Sequence, residues 1–312
     1  MNKKNKLSII NSQLSIKKVV VFGGSGFLGS YVADELSKNG FEVVVADIRN
    51  SKYLKKNQTF VSCNIMDLKS LIKIVEDTDI VYNFVALANI DEAFCSPVKT
   101  MNTNVMGHLN ILEACKTIGN IKRIIYASSA YAISKEGAFY GISKYASEKL
   151  TEEYYRRYGL KYTIIRYGSL YGERASSNNY IYNLLKNAIE TGELRYKGSG
   201  EDIREYIHAS DAAKLSVEIL KKDFENQIIM LTGIEKFKRI ELLIMINEIM
   251  GNKLKIVQTD KNFEGHYKIT PYSFQPSVGK KLVANPYIDL GQGILECIRS
   301  IIENGELKIE NE

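Results

Sequence analysis

Tyr140 and Lys144, four residues apart in the segment Tyr140-Gly141-Ile142-Ser143-Lys144, have the side-chain types needed for proton transfer. If that segment opens a helix, the spacing of four places both on one face. An ammonium beside a phenol stabilises the phenolate and draws the tyrosine pKa down from its reference near ~10 toward the working range of a general base. Eleven positions before Tyr140, Ser129 follows the strand-like run Arg123 to Ala127. At the carboxyl end of a strand its hydroxyl would hydrogen-bond the reacting oxygen. An ordinary helix-surface Tyr/Lys pair and a turn serine would look the same in isolation, so the rest of the chain must decide.

A second constellation lies upstream. Gly23-Gly24-Ser25-Gly26-Phe27-Leu28-Gly29 carries glycines at i, i+3 and i+6, between the β-branched run Lys17 to Phe22 and the helically spaced Phe27, Leu28, Tyr31, Val32 and Leu36. In such a loop Gly23 permits the tight turn, Gly26 lets backbone approach a pyrophosphate and Gly29 allows close helix–strand packing. The helix N-terminus adds free N–H groups and partial positive charge. Asp47 ends the next strand, Glu42 to Ala46, where the adenosine ribose belongs. A carboxylate there accepts hydrogen bonds from the ribose hydroxyls and repels a 2′-phosphate, which favours NAD over NADP. Ile48 and Arg49 complete this turn; the Arg49 guanidinium could neutralise a phosphate, but the position of Asp47 still favours NAD.

The elements that must hold these groups alternate. After Asp47 come an extended Phe60-Val61, a helix from about Leu68 to Glu76, the strand Ile80 to Phe84 and a helix from about Pro97 to Ile118. The strand Arg123 to Ala127, a helix from about Tyr140 to Tyr158 and the strand Tyr162 to Arg166 follow. This order predicts an α/β fold, a doubly wound parallel sheet with right-handed crossovers and helices on both faces. Beyond Gly172 the alternation loosens. Strands at Ile228 to Leu231 and Leu254 to Val257 mix with helices around Ile181 to Glu190, Asp211 to Lys221 and Ile240 to Met250, a smaller α/β lobe. The expected division is an N-terminal tail over 1–16, a Rossmann domain over 17–172 and a substrate lobe over 173–312, with segments near 204–231 returning to the first domain.

Composition narrows the class. The 312 residues are 45% apolar and 25% charged, ordinary for a soluble protein with a large core. The net charge of +6 is dispersed, and the one dense basic cluster, Lys3, Lys4, Lys6, Lys17 and Lys18, reads as a solvated tail rather than a nucleic-acid surface. Cys63, Cys95, Cys115 and Cys297 show no metal-ligand spacing, so no metal is expected and a reducing cytoplasm fits. Polar residues interrupt the first 16 positions, and Glu241, Asn247 and Glu248 break the apolar stretch Ile240 to Met250. Neither a signal peptide nor a membrane partner is expected.

With both constellations in place, the chain resembles the extended short-chain dehydrogenase/reductases of the nucleotide-sugar epimerase and dehydratase group. The resemblance rests on GGSGFLG, NFVALA (Asn83 to Ala88), NTNVMGHLNILEAC (Asn102 to Cys115), YASSA (Tyr126 to Ala130), YGISK, RYGSLYGER (Arg166 to Arg174) and REYIHASDAA (Arg204 to Ala213), in register from Lys17 to about residue 250. It implies a catalytic triad of Ser129, Tyr140 and Lys144, with Asn104 supporting it through backbone and water contacts. It further implies Asn64-Ile65 beneath the adenine, and Phe84, Ala86 and Tyr167 lining the NAD cleft. Ser169 would face the substrate and Arg204 would grip its diphosphate. A homodimer is implied through the helices read at Pro97 to Ile118 and Tyr140 to Tyr158, with Tyr154, Tyr155 and Tyr158 offering contact area.

The chain departs from the family pattern at four places. Ser169 stands where the family usually has Asn, and Glu173 where it has proline. A C-terminal arginine is replaced by the segment His266 to Phe274, in which Lys268 could supply the charge, and the connection from Ser129 to Tyr140 is short. Dehydratases of the group carry an Asp-Glu pair after the catalytic Ser/Thr, and decarboxylating relatives a Glu; here Ala130-Tyr131 follows Ser129. By elimination the expected activity is 4-epimerisation of a UDP-linked nucleotide sugar through a transient 4-keto sugar and a retained NAD, like that of UDP-glucose 4-epimerases. A 4-dehydrogenase, 4-keto-reductase or dehydratase is the alternative among enzymes, and an NAD-sensing binding protein the alternative outside them.

Overall fold

The computed structural model describes residues 16–260 and 280–303. Strand β1 (Lys18–Phe22) leads through the glycine loop into helix α1 (Phe27–Lys38) and then β2 (Glu42–Asp47). The alternation continues with β3 (Gln58–Ser62), α2 (Leu68–Val75) and β4 (Ile80–Asn83). Next come α3 (Ile90–Cys95), α4 (Pro97–Met101), α5 (Gly107–Ile118), β5 (Arg123–Ser129), the long α6 (Ala138–Tyr158) and β6 (Tyr162–Tyr167). Val19 to Phe22, Val43 to Ala46 and Ile80 to Asn83 are buried throughout. Strands covered by helices on both faces require such continuous burial, which is why they read as unbroken apolar runs.

In the second half, β7 (Ser169–Tyr171), α7 (Tyr180–Thr191), β8 (Glu193–Lys197), β9 (Ile203–Arg204) and β10 (Tyr206–His208) precede α8 (Ala209–Glu218) and β11 (Gln227–Leu231). The described chain closes with β12 (Phe237–Lys238), α9 (Arg239–Ile249), β13 (Lys255–Asp260), β14 (Lys280–Leu282) and α10 (Leu290–Glu303). Eight strands form one sheet in the order β14-β11-β6-β5-β4-β1-β2-β3, and all its neighbours run parallel. The order reverses between β1 and β4, opening the crevice at the strands' carboxyl ends where such sheets bind ligands.

Helices α1 and α8 cover one face, over a core that includes Val19, Val21, Leu36, Leu215 and Val217. On the other face α2, α5 and α6 enclose Val20, Phe22, Ile111, Leu112 and Ile164. A third cluster, with Leu184, Leu185, Leu242, Leu243, Ile294 and Ile298, joins α7, α9 and α10 into the smaller lobe.

Two differences from the sequence reading bear on the site. Residues read as one helix from Pro97 to Ile118 are α4 and α5 joined by a wide π-type turn, Asn102–Met106. Such turns gather at functional positions, and this one contains Asn104. The second is β14, from the stretch assigned to the lobe, which pairs with β11 at the edge of the main sheet; β11 itself pairs with β6, and α8 packs on α1. Among the described residues no helix is long and apolar enough to cross a membrane. The segment His266 to Phe274, with Lys268, and positions 1–15 of the tail lie outside the described residues.

Candidate active site

The glycine loop is built by contacts that no side chain could enter. A Cβ on Gly29 would lie 2.2 Å from the Gly23 carbonyl oxygen, and one on Gly23, whose φ is 75°, would lie 2.8 Å from the Val85 nitrogen. The loop therefore presses against the segment after β4, at the switch point. Gly26 caps α1 without a side-chain hydrogen bond, so no side chain fills the anion site at this helix N-terminus. The backbone N–H of Ser25 donates to Asp47 Oδ2 at 3.1 Å, that of Arg49 donates to Oδ1 at 3.3 Å, and Ser25 Oγ donates to the Arg49 carbonyl at 2.8 Å. Each Asp47 oxygen thus keeps a lone pair for a further donor. Phe27 and Leu28 open α1, and Ile48, next after Asp47, is exposed. A closely packed glycine turn, an uncapped helix end and an acidic strand end fit an NAD pyrophosphate and ribose.

Along the rest of the crevice the expected residues divide. The Asn64 side-chain carbonyl accepts the Met66 N–H at 3.0 Å, closing its own turn. Ile65 is buried, its carbonyl accepting from Asn110 at 3.0 Å, and a Cβ on Gly107 would meet its side chain at 2.2 Å. Phe84 stacks on Tyr82 with centroids 6.0 Å apart and meets Tyr167 at 6.3 Å; Ala86 follows in the same segment, half-buried. Tyr167 does not turn its side chain into an open cleft. Its phenol is buried in the core beneath α8, 2.7 Å from Ser216 Oγ, so only its backbone remains to face the crevice.

At the other side, Ser129 ends β5, and its Oγ accepts the Tyr131 N–H at 3.2 Å, capping the short 3₁₀ turn Ala130–Ile133. Its own O–H is still able to donate. Tyr140 is the third residue of α6 and is buried, its ring edge-on to that of Tyr131 with centroids 6.3 Å apart. Tyr131 therefore touches both. A Cβ on Gly141 would lie 2.7 Å from the Tyr131 carbonyl, and one on Gly137 2.9 Å from the Tyr131 Cβ. The short connection is thus a tight turn seated directly on α6.

Lys144, one helical turn after Tyr140, donates from Nζ to the Ala127 carbonyl at 2.7 Å. The ammonium lies 5.7 Å from the Tyr140 ring centre and 5.0 Å from that of Tyr126. Burial pushes its pKa down to about 7, with Glu148 pulling the other way. Asn104 accepts the Leu87 N–H at 2.8 Å and donates to Ser143 Oγ at 2.9 Å and to the Leu87 carbonyl at 3.2 Å. It fastens α6 to the segment after β4.

Sequence reading missed the pair that sets α6 against the sheet. Arg166 donates through Nε and Nη2 to the two oxygens of Glu148, at 2.9 and 2.6 Å, and Ser128 donates to Glu148 Oε1 at 2.5 Å. All three are buried. A bidentate bond of this kind fixes orientation as well as position. The available signal was one arginine inside the apolar strand Tyr162–Tyr167.

The expected substrate residues meet at the joint between the halves of the chain. Ser169 is half-buried on β7 and pairs with Tyr206 of β10, while Arg204 is buried on the adjoining β9. Glu173 follows β7. It accepts from the Tyr31 hydroxyl of α1, and the His208 ring, 3.4 Å away, and Tyr31 hold its carboxyl down at about 2. Arg174 bonds Asp34 at 2.6 Å between the rings of Tyr31 and Tyr53. These two residues therefore tie the joint to α1. Glu173, His208 and Glu296 place ligand-type atoms within 4.8 Å of one another. The Ser210 N–H donates to His208 Nδ1 at 3.3 Å, however, which puts the ring hydrogen on Nε2, toward Glu173, where a metal would need a lone pair.

The sequence pattern of the NAD dependent epimerase/dehydratase family matches residues 19–231. A UDP-N-acetyl-alpha-D-glucosaminuronate decarboxylase of Bacillus cytotoxicus is 28% identical over 91% of this chain and 97% of its own. A UDP-glucose 4-epimerase of Lactobacillus helveticus is also 28% identical, over 75% of this chain and 82% of its own. The crystal structure of a UDP-glucuronic acid 4-epimerase from Bacillus cereus, in complex with UDP-glucuronic acid and NAD, superposes with a TM-score of 0.80 at 21% identity, covering 92% of this chain and all (100%) of that one. With the doubly wound sheet, the glycine loop and that match over most of its length, the chain belongs to the NAD-dependent epimerase/dehydratase family.

Proposed function

We propose that this protein is an NAD-dependent nucleotide-sugar 4-epimerase whose catalytic residues are Ser129, Tyr140 and Lys144. The observation that carries this reading is the segment after Ser129. Ala130 is buried and Tyr131 packs its ring on Tyr140, so no carboxylate stands at either position to move a proton at a second carbon of the sugar. Tyr140 takes the proton of the C4 hydroxyl, Lys144 stabilises the phenolate, and Ser129 hydrogen-bonds the C4 oxygen. The glycine loop and Asp47 would hold NAD, which would supply the acceptor and donor of the C4 hydride. The 4-keto sugar turns before the hydride comes back, so that C4 receives it on its opposite face, while Tyr140 returns the proton to the C4 oxygen. Arg204 and Ser169 bind the diphosphate side of a UDP-linked substrate.

The protein works in the cytoplasm as a homodimer on this reading. Phe94, Val98, Phe139, Ile142 and Tyr145 are exposed on α3, α4 and α6, as an apolar seam between copies would need. Tyr154 contributes little to such a seam, because its hydroxyl is bonded to Glu113 within the chain. Sedimentation at micromolar concentration is expected to give a dimer, and a monomer alone would remove this part of the reading.

The test of activity is to incubate purified protein with UDP-glucose, UDP-N-acetylglucosamine and UDP-glucuronic acid in turn, without added NAD. Interconversion of axial and equatorial C4 forms, with no NADH accumulating, is expected for at least one. A stable keto sugar, loss of water or release of carbon dioxide would replace epimerisation with dehydrogenation, dehydration or decarboxylation. NAD binding without turnover of any sugar would favour a binding protein.

A further inference from the structure

Behind the triad, a buried chain of hydrogen bonds centres on His108 of α5, a residue with no accessible surface. Its Nδ1 lies 3.0 Å from the Asn83 amide nitrogen and its Nε2 2.8 Å from Thr151 Oγ1. The hydrogens follow by elimination. Thr151 donates its hydroxyl to the Ser147 carbonyl at 2.8 Å, so it can only accept from the ring. The ring hydrogen is therefore on Nε2, and Nδ1 accepts from Asn83. Asn83 Oδ1 in turn accepts the Val85 N–H at 2.9 Å, in the segment against which Gly23 packs. Ser147 completes the link by donating to the Asn104 carbonyl at 3.0 Å.

The same imidazole lies against Tyr126, ring centres 4.2 Å apart, and Tyr126 carries the Lys144 ammonium 5.0 Å from its own ring centre. Burial, and then the charge of Lys144, push the His108 pKa down to about 3. A neutral ring is what this place requires. A second cation beside Lys144 would cost heavily in a region closed to water.

We propose that His108 is a positioning residue for the reaction: a neutral imidazole fixed as the Nε2–H tautomer, which ties α6 through Thr151 to the cofactor segment through Asn83, and holds Tyr126 against Lys144. It touches neither sugar nor cofactor. The inference rests on the proposed function only in taking Lys144 as the partner of Tyr140.

The full-length protein with ¹⁵N-labelled histidine reports the tautomer directly, His108 being assigned by its absence from His108→Gln spectra. The expected signals are those of a neutral ring protonated at Nε2, unchanged from about pH 5 to pH 9. Protonation at Nδ1, or titration near the ordinary histidine value, would overturn the assignment. Kinetics then separate positioning from mere packing. His108→Phe keeps an aromatic ring but loses both hydrogen bonds, and is expected to lower kcat about tenfold while KM for the sugar changes less than about threefold, as small misplacements of catalytic groups do. His108→Gln, whose amide N–H can reach Thr151, is expected to recover most of that loss. If both variants fall in melting temperature but keep kcat, or if Gln recovers none of it, the positioning role is wrong. Should His108→Phe not fold, the tautomer and the Gln variant decide alone. A wild type that turns over no nucleotide sugar would instead overturn the proposed function, and the NMR result would still judge His108.

Discussion

Two polar networks hold this molecule in shape, and they treat charge in opposite ways. Around α6, Glu148, Arg166, His108, Thr151 and Lys144 are buried, so every ionised group there needs a partner or loses its charge. Glu148 and Arg166 satisfy this by pairing, His108 stays neutral, and Lys144 gives up much of its proton affinity. At the joint with the smaller lobe, Glu173 is partly open to water and meets a phenol and an imidazole, so its charge is favoured. On the proposed function the dry network positions chemistry, whereas the wetter one fastens two parts of the chain. Substitutions should therefore have large, pH-specific effects in the first and milder ones in the second.

The largest effect is expected at the centre of the dry network. Tyr140→Phe removes the hydroxyl that moves the proton and should cut turnover by at least ~10²-fold, the usual scale for a general base, with folding and NAD affinity nearly unchanged. Unaltered turnover would take Tyr140 out of the chemistry. Next comes Glu148→Gln, which leaves the Arg166 guanidinium buried with half its partner gone; breaking such a pair typically costs about 3–5 kcal/mol, read as a lower unfolding midpoint in denaturant. A loss under about 1 kcal/mol, the value of a surface pair, would mean that water reaches this pair and the region is not dry.

Stability should rise with pH in both networks, but in different windows and for opposite reasons, since one charge is disfavoured by folding and the other favoured. Lys144 has a folded pKa of about 7 against an ordinary 10.5, so across that interval the unfolded chain binds the extra proton. Stability should therefore rise with pH from about 7 to about 10, and Lys144→Met should flatten that rise. Glu173, at about 2 against an ordinary 4.5, gives a slope of the same sign in a lower window, here because folding favours its charge. Its contribution is complete above about 4.5 and is lost as pH falls toward about 2, so Glu173→Gln should matter at neutral pH and cease to matter in strong acid. Melting curves across both ranges check the pair. Identical slopes for wild type and variants would show that neither group differs between folded and unfolded chain.

What the sequence disclosed follows from what is local. The glycine loop, the strand ending at Asp47 and the Tyr140/Lys144 spacing each lie within one or two elements, and their residue types are dictated there. Partners supplied by distant strands could not be read. Arg166 and Glu148 sit 18 positions apart and meet only because β6 lies beside β5 under α6. His108 was one letter in a familiar motif, and its role depends on Asn83 and Thr151 from other elements. The π-type turn at Asn102–Met106 escaped a helical-period reading because it preserves the helix on either side. Tyr167 was expected along the NAD cleft, yet Ser216 on α8 holds its phenol in the core. At Glu173 the sequence showed a missing proline, and only the fold revealed the tie to Tyr31 and His208.

The central claim is that the sugar's C4 hydrogen leaves and returns to the same carbon, with Tyr140 moving the proton. A UDP-sugar deuterated at C4 tests it directly, with the substrate chosen from those the protein converts. The account predicts that the C4 epimer forms with deuterium retained at C4 and none appearing at C6 or in solvent, and that Tyr140→Phe forms almost none of it. Deuterium moved to C6, or lost from the sugar altogether, would contradict epimerisation and assign the site to another reaction of the same family.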